Sequence, residues 1–164
     1  MHESDDDLAA LQERLDRSYD GAGEHLASIH TDAVRLSAAD LAASLVGMQV
    51  VVVATTSADG RPLSGPVDAF LHRGRWRFGT STDALRHKHL LRRPAVSLTH
   101  VRGEGVVVTA HGRARQVDLR EDPAFQETLR AQYGDDIQFF LDNPYWEVVE
   151  DRVFAADMHL HTEG

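Results

Sequence analysis

The sequence predicts an α+β fold, mainly β: six antiparallel strands, most simply closed into a barrel, with helices at its periphery. Three observations predict it. Six segments of strand character lie between residues 49 and 158. Most of their links are short turns rich in Gly, Asp and Pro, which favour antiparallel neighbours. Helical spacing is confined to the N-terminal third, one short segment inside the strand run, and the stretch before the last strand. Residues 1–36 read as an N-terminal helical extension and residues 37–164 as the barrel domain. At 164 residues the chain is long enough for a sizeable core.

Ser4 and Asp7 have the form of a capping box ahead of Leu8, Leu11 and Leu15, so a helix is expected to start at residue 5 and to end at Gly21 and Gly23. Residues 21–36 read as loop. Their His25 and His30 read as solvated surface rather than metal ligands. Ser37, with Asp40 three positions on, caps a second helix whose apolar side is Leu41, Leu45, Val46 and Met48.

Gln49–Thr56 is rich in valine and reads as a buried strand. Asp59-Gly60 turns it into a second strand over Leu63–Leu71. Pro66 cannot donate to a ladder, so this strand needs an edge or a bulge there. An open ladder beside Pro66 could face a flat ligand. Arg73-Gly74 is the next hairpin turn. In the third strand Trp76, Phe78 and Thr80 share one face.

Thr80, Ser81, Thr82 and Asp83 then supply four side-chain oxygens ahead of a short helix that Pro94 stops. Ser81, Thr82 and Asp83 are each able to cap it. Arg86 and Lys88 lie in its first turns. Hydroxyls, free backbone N–H groups and a cation at a helix N-terminus are what a phosphate needs.

Ala95–Val101 and Val106–Val117 form the next strands around the turn at Gly103 and Gly105. On the second, Val106, Val108, Ala110, Gly112 and Ala114 alternate with His111, Arg113 and Arg115, which read as solvent-facing. Asp122-Pro123 opens a helix with the stripe Phe125, Leu129 and Tyr133, ended by Gly134. A short helix over Ile137–Leu141 precedes Asn143-Pro144, and Trp146–Met158 is the last strand.

Charge supports a local ligand. Residues 73–102 hold eight Lys/Arg and one acid, whereas the rest of the chain holds nine against 25, for a net charge of −9. A basic island in an acidic chain suits a small anionic ligand and argues against a nucleic-acid partner. No apolar run is long enough for a membrane span. The acidic N-terminus lacks the basic and apolar regions of a secretory signal, so the expected location is cytoplasmic. Without cysteine there are no disulfides, thiolate metal sites or cysteine nucleophiles.

Taken together these segments resemble the FMN-binding split-barrel family, the pyridoxamine 5′-phosphate oxidase-like proteins, over roughly residues 41–157. Val50–Thr56 with Ala58-Asp59-Gly60-Arg61-Pro62 is similar to the family's opening hairpin. Gly65-Pro66-Val67 is similar to its S-P-V strand. Phe78-Gly79-Thr80-Ser81 through Arg93-Pro94-Ala95-Val96-Ser97-Leu98 is similar to its F-x-T turn, helix and following strand.

The resemblance implies a six-stranded antiparallel split β-barrel that binds FMN as a homodimer, with the cofactor between subunits. It places Thr80 and Ser81, with Thr82 beside them, at the phosphate, and Pro66, Val67 and Asp68 against the ring. The oxidases proper carry S-R-K where Ala84-Leu85-Arg86 stands here. Arg86 replaces the lysine and can hold phosphate in a bidentate fork, with Lys88 nearby. The missing serine and arginine point away from authentic pyridoxamine phosphate oxidation. His111 and Arg113 are positions from which the partner chain could contribute.

The implied function is an oxidoreductase acting on a small molecule. The alternatives are an F420-dependent oxidoreductase of the same fold, using Arg86, Lys88, Arg92 and Arg93, or a non-enzymatic flavin or haem binder. No paired carboxylates or triad stand out, so the sequence names no catalytic residue and no metal site.

Overall fold

A computed structural model describes residues 3–161. Six strands, β1 (Gln49–Thr56), β2 (Pro62–His72), β3 (Arg75–Gly79), β4 (Ala95–Arg102), β5 (Val106–Val117) and β6 (Tyr145–Asp157), close into an antiparallel barrel. Its order is β1-β2-β3-β6-β5-β4, with β4 returning to β1. The α+β split-barrel expectation holds, and Gln49–Thr56 and Val106–Val117 are found with the expected bounds.

The β2–β3 hairpin turns through Arg73 at φ 51° and Gly74 at φ 68°. This is a primed turn, whose twist matches the strands it joins. The barrel interior is filled from alternating positions, among them Val51, Val53, Ala69, Trp76, Phe78, Leu98, Val108, Ala110 and Val148. Among the described residues nothing covers the opposite faces of β1 and β4 at Val50, Val52 and Val101. Val50, Val52 and Val101 are exposed, so β1 is buried on one face only, not throughout as its valine run suggested.

The helix α1 (Asp5–Asp20) begins in the expected capping box. Ser4 Oγ accepts from the Asp7 amide at 3.2 Å and the Asp7 carboxylate accepts from the Ser4 amide at 2.9 Å. Its Leu11, Leu15 and Tyr19 belong to the same apolar core as the barrel, so the N-terminal helix packs onto the barrel. The Tyr19 hydroxyl donates to the Ala155 carbonyl at 2.8 Å and accepts from the Ala155 amide at 3.1 Å, while Ser18 Oγ accepts from the Val153 amide.

Residues 21–36 are not all loop. They contain a short helix, α2 (Glu24–Ile29). His30 at its end is buried, with Nδ1 3.1 Å from the Tyr19 hydroxyl, rather than solvated. Tyr19 of α1 meets the end of this segment at His30, while α2 itself buries no residue. The next helix, α3 (Ala38–Ser44), is capped by Ser37 as expected, but Val46 beyond it is exposed.

Within the strand run lies α4 (Leu85–Arg92). After β5, α5 (Pro123–Tyr133) and α6 (Gln138–Asp142) form a small second core with Phe70, Leu119 and Tyr145 on the outside of β2 and β3. Buried charges tie α5 to the barrel. Arg77 donates to Glu147 and to Asp122, the residue that caps α5. Among the described residues no helix is long and apolar enough to cross a membrane.

Candidate functional site

The candidate site forms where β2 outruns β3. Residues 62–69 of β2 pair with β1, but β3 pairs only with 69–72. On that side no strand covers residues 62–68 among those described, so the open edge inferred from Pro66 is present. Pro66 pairs with Val52 and is exposed.

A cavity of about 220 Å³ lies beside this edge. Val67 and Asp68 form one wall, Gly79, Thr80 and Ser81 a second, and Tyr133, Phe139, Phe140, Asn143 and Tyr145 the rest. The ring of Tyr145 approaches so closely that a Cβ on Gly79 would lie 2.8 Å from its Cε2. Glycine at this strand end is therefore what admits the ring. Tyr133 and Phe140 stack with centroids 4.6 Å apart and planes 30° from parallel.

The turn after β3 is spent differently from the sequence expectation. Ala84, not a hydroxyl residue, is the N-cap of α4, and no side chain caps the helix. The Ser81 carbonyl accepts from the Ala84 amide at 3.1 Å and Ser81 Oγ from the Asp83 amide at 3.2 Å. These bonds close a turn, and the helix starts after it. Thr80 is held by its amide, which donates to the Pro144 carbonyl at 3.0 Å.

Arg86, the second residue of α4, leans onto the open edge, and its Nη2 donates to the Gly65 carbonyl at 3.3 Å. It is half-buried, and desolvation lowers its pKa below the ordinary arginine value. No carboxylate forms an ion pair with it among the described residues. A half-desolvated cation with one long bond to a carbonyl is suited to receive an anion.

The other sequence-derived residues separate. Thr82 faces a different cavity of about 570 Å³, behind residues 143–145, with His87 and Arg120. Lys88 lines a third, of about 380 Å³, with Arg92 and Arg93. His111 and Arg113 are exposed on β5, away from these walls, with His111 Nδ1 2.8 Å from Ser97 Oγ.

A family model described as pyridoxamine 5′-phosphate oxidase matches residues 38–157. The chain belongs to this family. Solved structures agree at the level of the fold. A conserved hypothetical protein from Mycobacterium tuberculosis has a TM-score of 0.68 at 18% identity, covering 82% of this chain and 93% of that one. An FAD-binding protein from Mycobacterium smegmatis has 0.53 at 18%, covering 74% and 94%. An F420 reductase has 0.53 at 19%, covering 66% and 91%. No curated protein matches the chain.

Within the family fold, the far wall of the cleft is what sequence reasoning missed. Tyr133 continues the helical stripe of Phe125 and Leu129 in sequence, yet it is exposed at the helix end, and Phe139 is 70% exposed. One signal was available: a five-residue helix bearing Phe139 and Phe140 is too short to bury both rings.

Proposed function

We propose that this member of the pyridoxamine 5′-phosphate oxidase family binds FMN and is an oxidoreductase acting on a small molecule. Arg86 carries the reading. Among the described residues it is a half-buried cation without a carboxylate partner, at a helix start, on an open strand edge that runs into an aromatic-walled cleft. In this reading the phosphate lies at Arg86 with Thr80 and Ser81, and the flat ring lies along Pro66, Val67 and Asp68. The bound flavin would supply the redox chemistry. The chain's residues would hold it, orient it and exclude water.

A charge-assisted bond is worth about 1.5–3 kcal/mol, so Arg86→Ala should weaken FMN binding by about ten-fold to a few hundred-fold. Arg86→Lys should be much milder. Riboflavin, without the phosphate, should bind wild type and Arg86→Ala alike. Flavin fluorescence quenching measures all three, and equal FMN affinity in wild type and Arg86→Ala would remove the phosphate assignment.

F420 is the second reading. Its support is that Lys88, Arg92 and Arg93 surround one depression and form no ion pair with a carboxylate among the described residues. A longer anionic tail could use it. The absorbance of the purified protein separates the readings: two bands for FMN, one violet band for F420, a sharp Soret band for haem.

We further propose a homodimer built on the uncharged outer face of β1 and β4, where Val50, Val52 and Val101 are exposed.

A further inference from the structure

We propose that Asp68 and Tyr133 act as one hydrogen-bonding unit that reads an N–H group on the edge of a flat heterocycle in the aromatic cleft. This assignment rests on the flavin reading above and names the polar contact that orients the ring.

Tyr133 is the last residue of α5, and Gly134 at φ 91° turns the chain away from it. Its ring therefore stands at the helix end, stacked on Phe140 and lining the cleft. Its hydroxyl crosses to β2 and donates to Asp68 Oδ2 at 3.1 Å. A phenol has one proton to give, and here Asp68 receives it. Burial first, then the Asp68 charge, pushes the Tyr133 pKa up to about 12, so the hydroxyl stays a donor at any working pH.

The consequence falls on Asp68. Its carboxylate is fixed by Tyr133 on one oxygen, and no other hydrogen bond to it is present among the described residues. It sits on the open edge of β2, exposed, beside the stacked rings. The cleft thus offers flat aromatic contact and one oriented, acceptor-only anion. Such a pair selects a ligand whose ring edge presents an N–H and disfavours an edge of carbonyls alone. An oxidised isoalloxazine carries one such N–H, the imide between its two carbonyls, and a deazaflavin carries the same imide.

Lumiflavin and 3-methyllumiflavin test this without the phosphate. They differ by a methyl group in place of the imide hydrogen. Wild type should bind lumiflavin about ten-fold tighter or more, the lower end of a hydrogen bond to a charged acceptor. Asp68→Ala should bring the ratio close to one. Asp68→Asn should retain part of it, because an amide oxygen still accepts. Tyr133→Phe, which only frees the carboxylate to rotate, should fall between wild type and Asp68→Ala. Circular dichroism of each variant confirms the fold. An unchanged ratio in Asp68→Ala, or a wild-type ratio of one with FMN still bound through Arg86, overturns the unit and leaves the flavin reading standing. If wild type binds neither FMN nor lumiflavin, both fall.

Discussion

Arg86 and Gly65 are fitted to each other: a Cβ added to Gly65 would lie 3.0 Å from Arg86 Nη2, the atom that bonds the Gly65 carbonyl. The approach is tighter than ordinary van der Waals contact, and the side that yields is the far end of a flexible arginine. Gly65→Ala should therefore leave the fold intact and displace the guanidinium. The expected outcome is a loss of FMN affinity of several-fold with riboflavin affinity unchanged, read by fluorescence quenching. A loss that is equal for both ligands would mean that the methyl disturbs the ring site instead.

The three tyrosines of the chain, Tyr19, Tyr133 and Tyr145, all have pKa values raised above the ordinary 10. Burial is the main cause at each, and Tyr133 reaches about 12. A phenol is neutral when protonated, so a native value above the unfolded one stabilises the fold. For Tyr133 that contribution is complete below pH 10 and is lost as pH rises through about 12. The native protein should show less phenolate absorbance at pH 10 than the urea-unfolded chain, which should be about half ionised there. A native transition centred at 10 would mean that at least one phenol is solvated.

Much of the fold was legible because its signals are local. Ser4, Ser37 and Asp122 cap helices with their own side chains, and the Asp-Gly and Arg-Gly turns set the hairpins. What was not legible depends on distant parts of the chain. His30 is buried because Tyr19, eleven residues before it, packs there, and the helix over residues 24–29 buries no residue of its own that a sequence pattern could mark. The site divides in the same way. Val67 and Asp68 lie within β2 and Thr80 and Ser81 just past the end of β3, elements that could be read from sequence, and the four residues meet at one cleft. Thr82 and Lys88 diverge because the turn tightens before α4 begins, and helical rotation then carries Lys88 away from Arg86. Tyr133 meets Asp68 across 65 residues, a contact that no local pattern encodes.

A buried charge cluster holds α5, and with it Tyr133, in place. Arg77 Nε donates to Glu147 Oε2 at 2.9 Å and its Nη1 to Asp122 Oδ2 at 2.7 Å, while Arg115 donates to the other oxygen of Glu147. Burial alone would raise the pKa values of Glu147 and Asp122, but the hydrogen bonds and charges of Arg115 and Arg77 outweigh it, and both lie below their ordinary values. Their stabilisation is therefore present above the unfolded carboxylate range, near pH 4, and is lost as pH falls through the lower native values. Arg77→Met leaves the buried Glu147 carboxylate with one of its two arginine partners and should cost about 1–3 kcal/mol. Urea titrations of both proteins at pH 7 and pH 3 check this, and the difference between them should shrink at pH 3. A loss below 1 kcal/mol at pH 7 would show that Arg115 alone suffices.

The outer face of β1 gives the last prediction. Val50 and Val52 are 54% and 45% exposed, and Val52 lies opposite Thr99 on β4 and Pro66 on β2. Val101, 58% exposed, continues this uncharged strip along β4. A solvated sheet face ordinarily carries charged or polar side chains at such positions, so valines there are suited to burial against a second copy. A lysine at position 52 would place an unpaired cation in that contact, while in the single chain it would remain half in solvent. Light scattering of wild type at micromolar concentration should return twice the 18.2 kDa of one chain. Val52→Lys should return one chain, with unchanged circular dichroism. Pro66 sits opposite Val52 and borders the cleft through Val67, so the same substitution should also weaken FMN binding if the site is completed by the partner. A monomeric wild type would overturn the dimer, and a monomeric Val52→Lys that binds FMN normally would place the whole cofactor site within one chain.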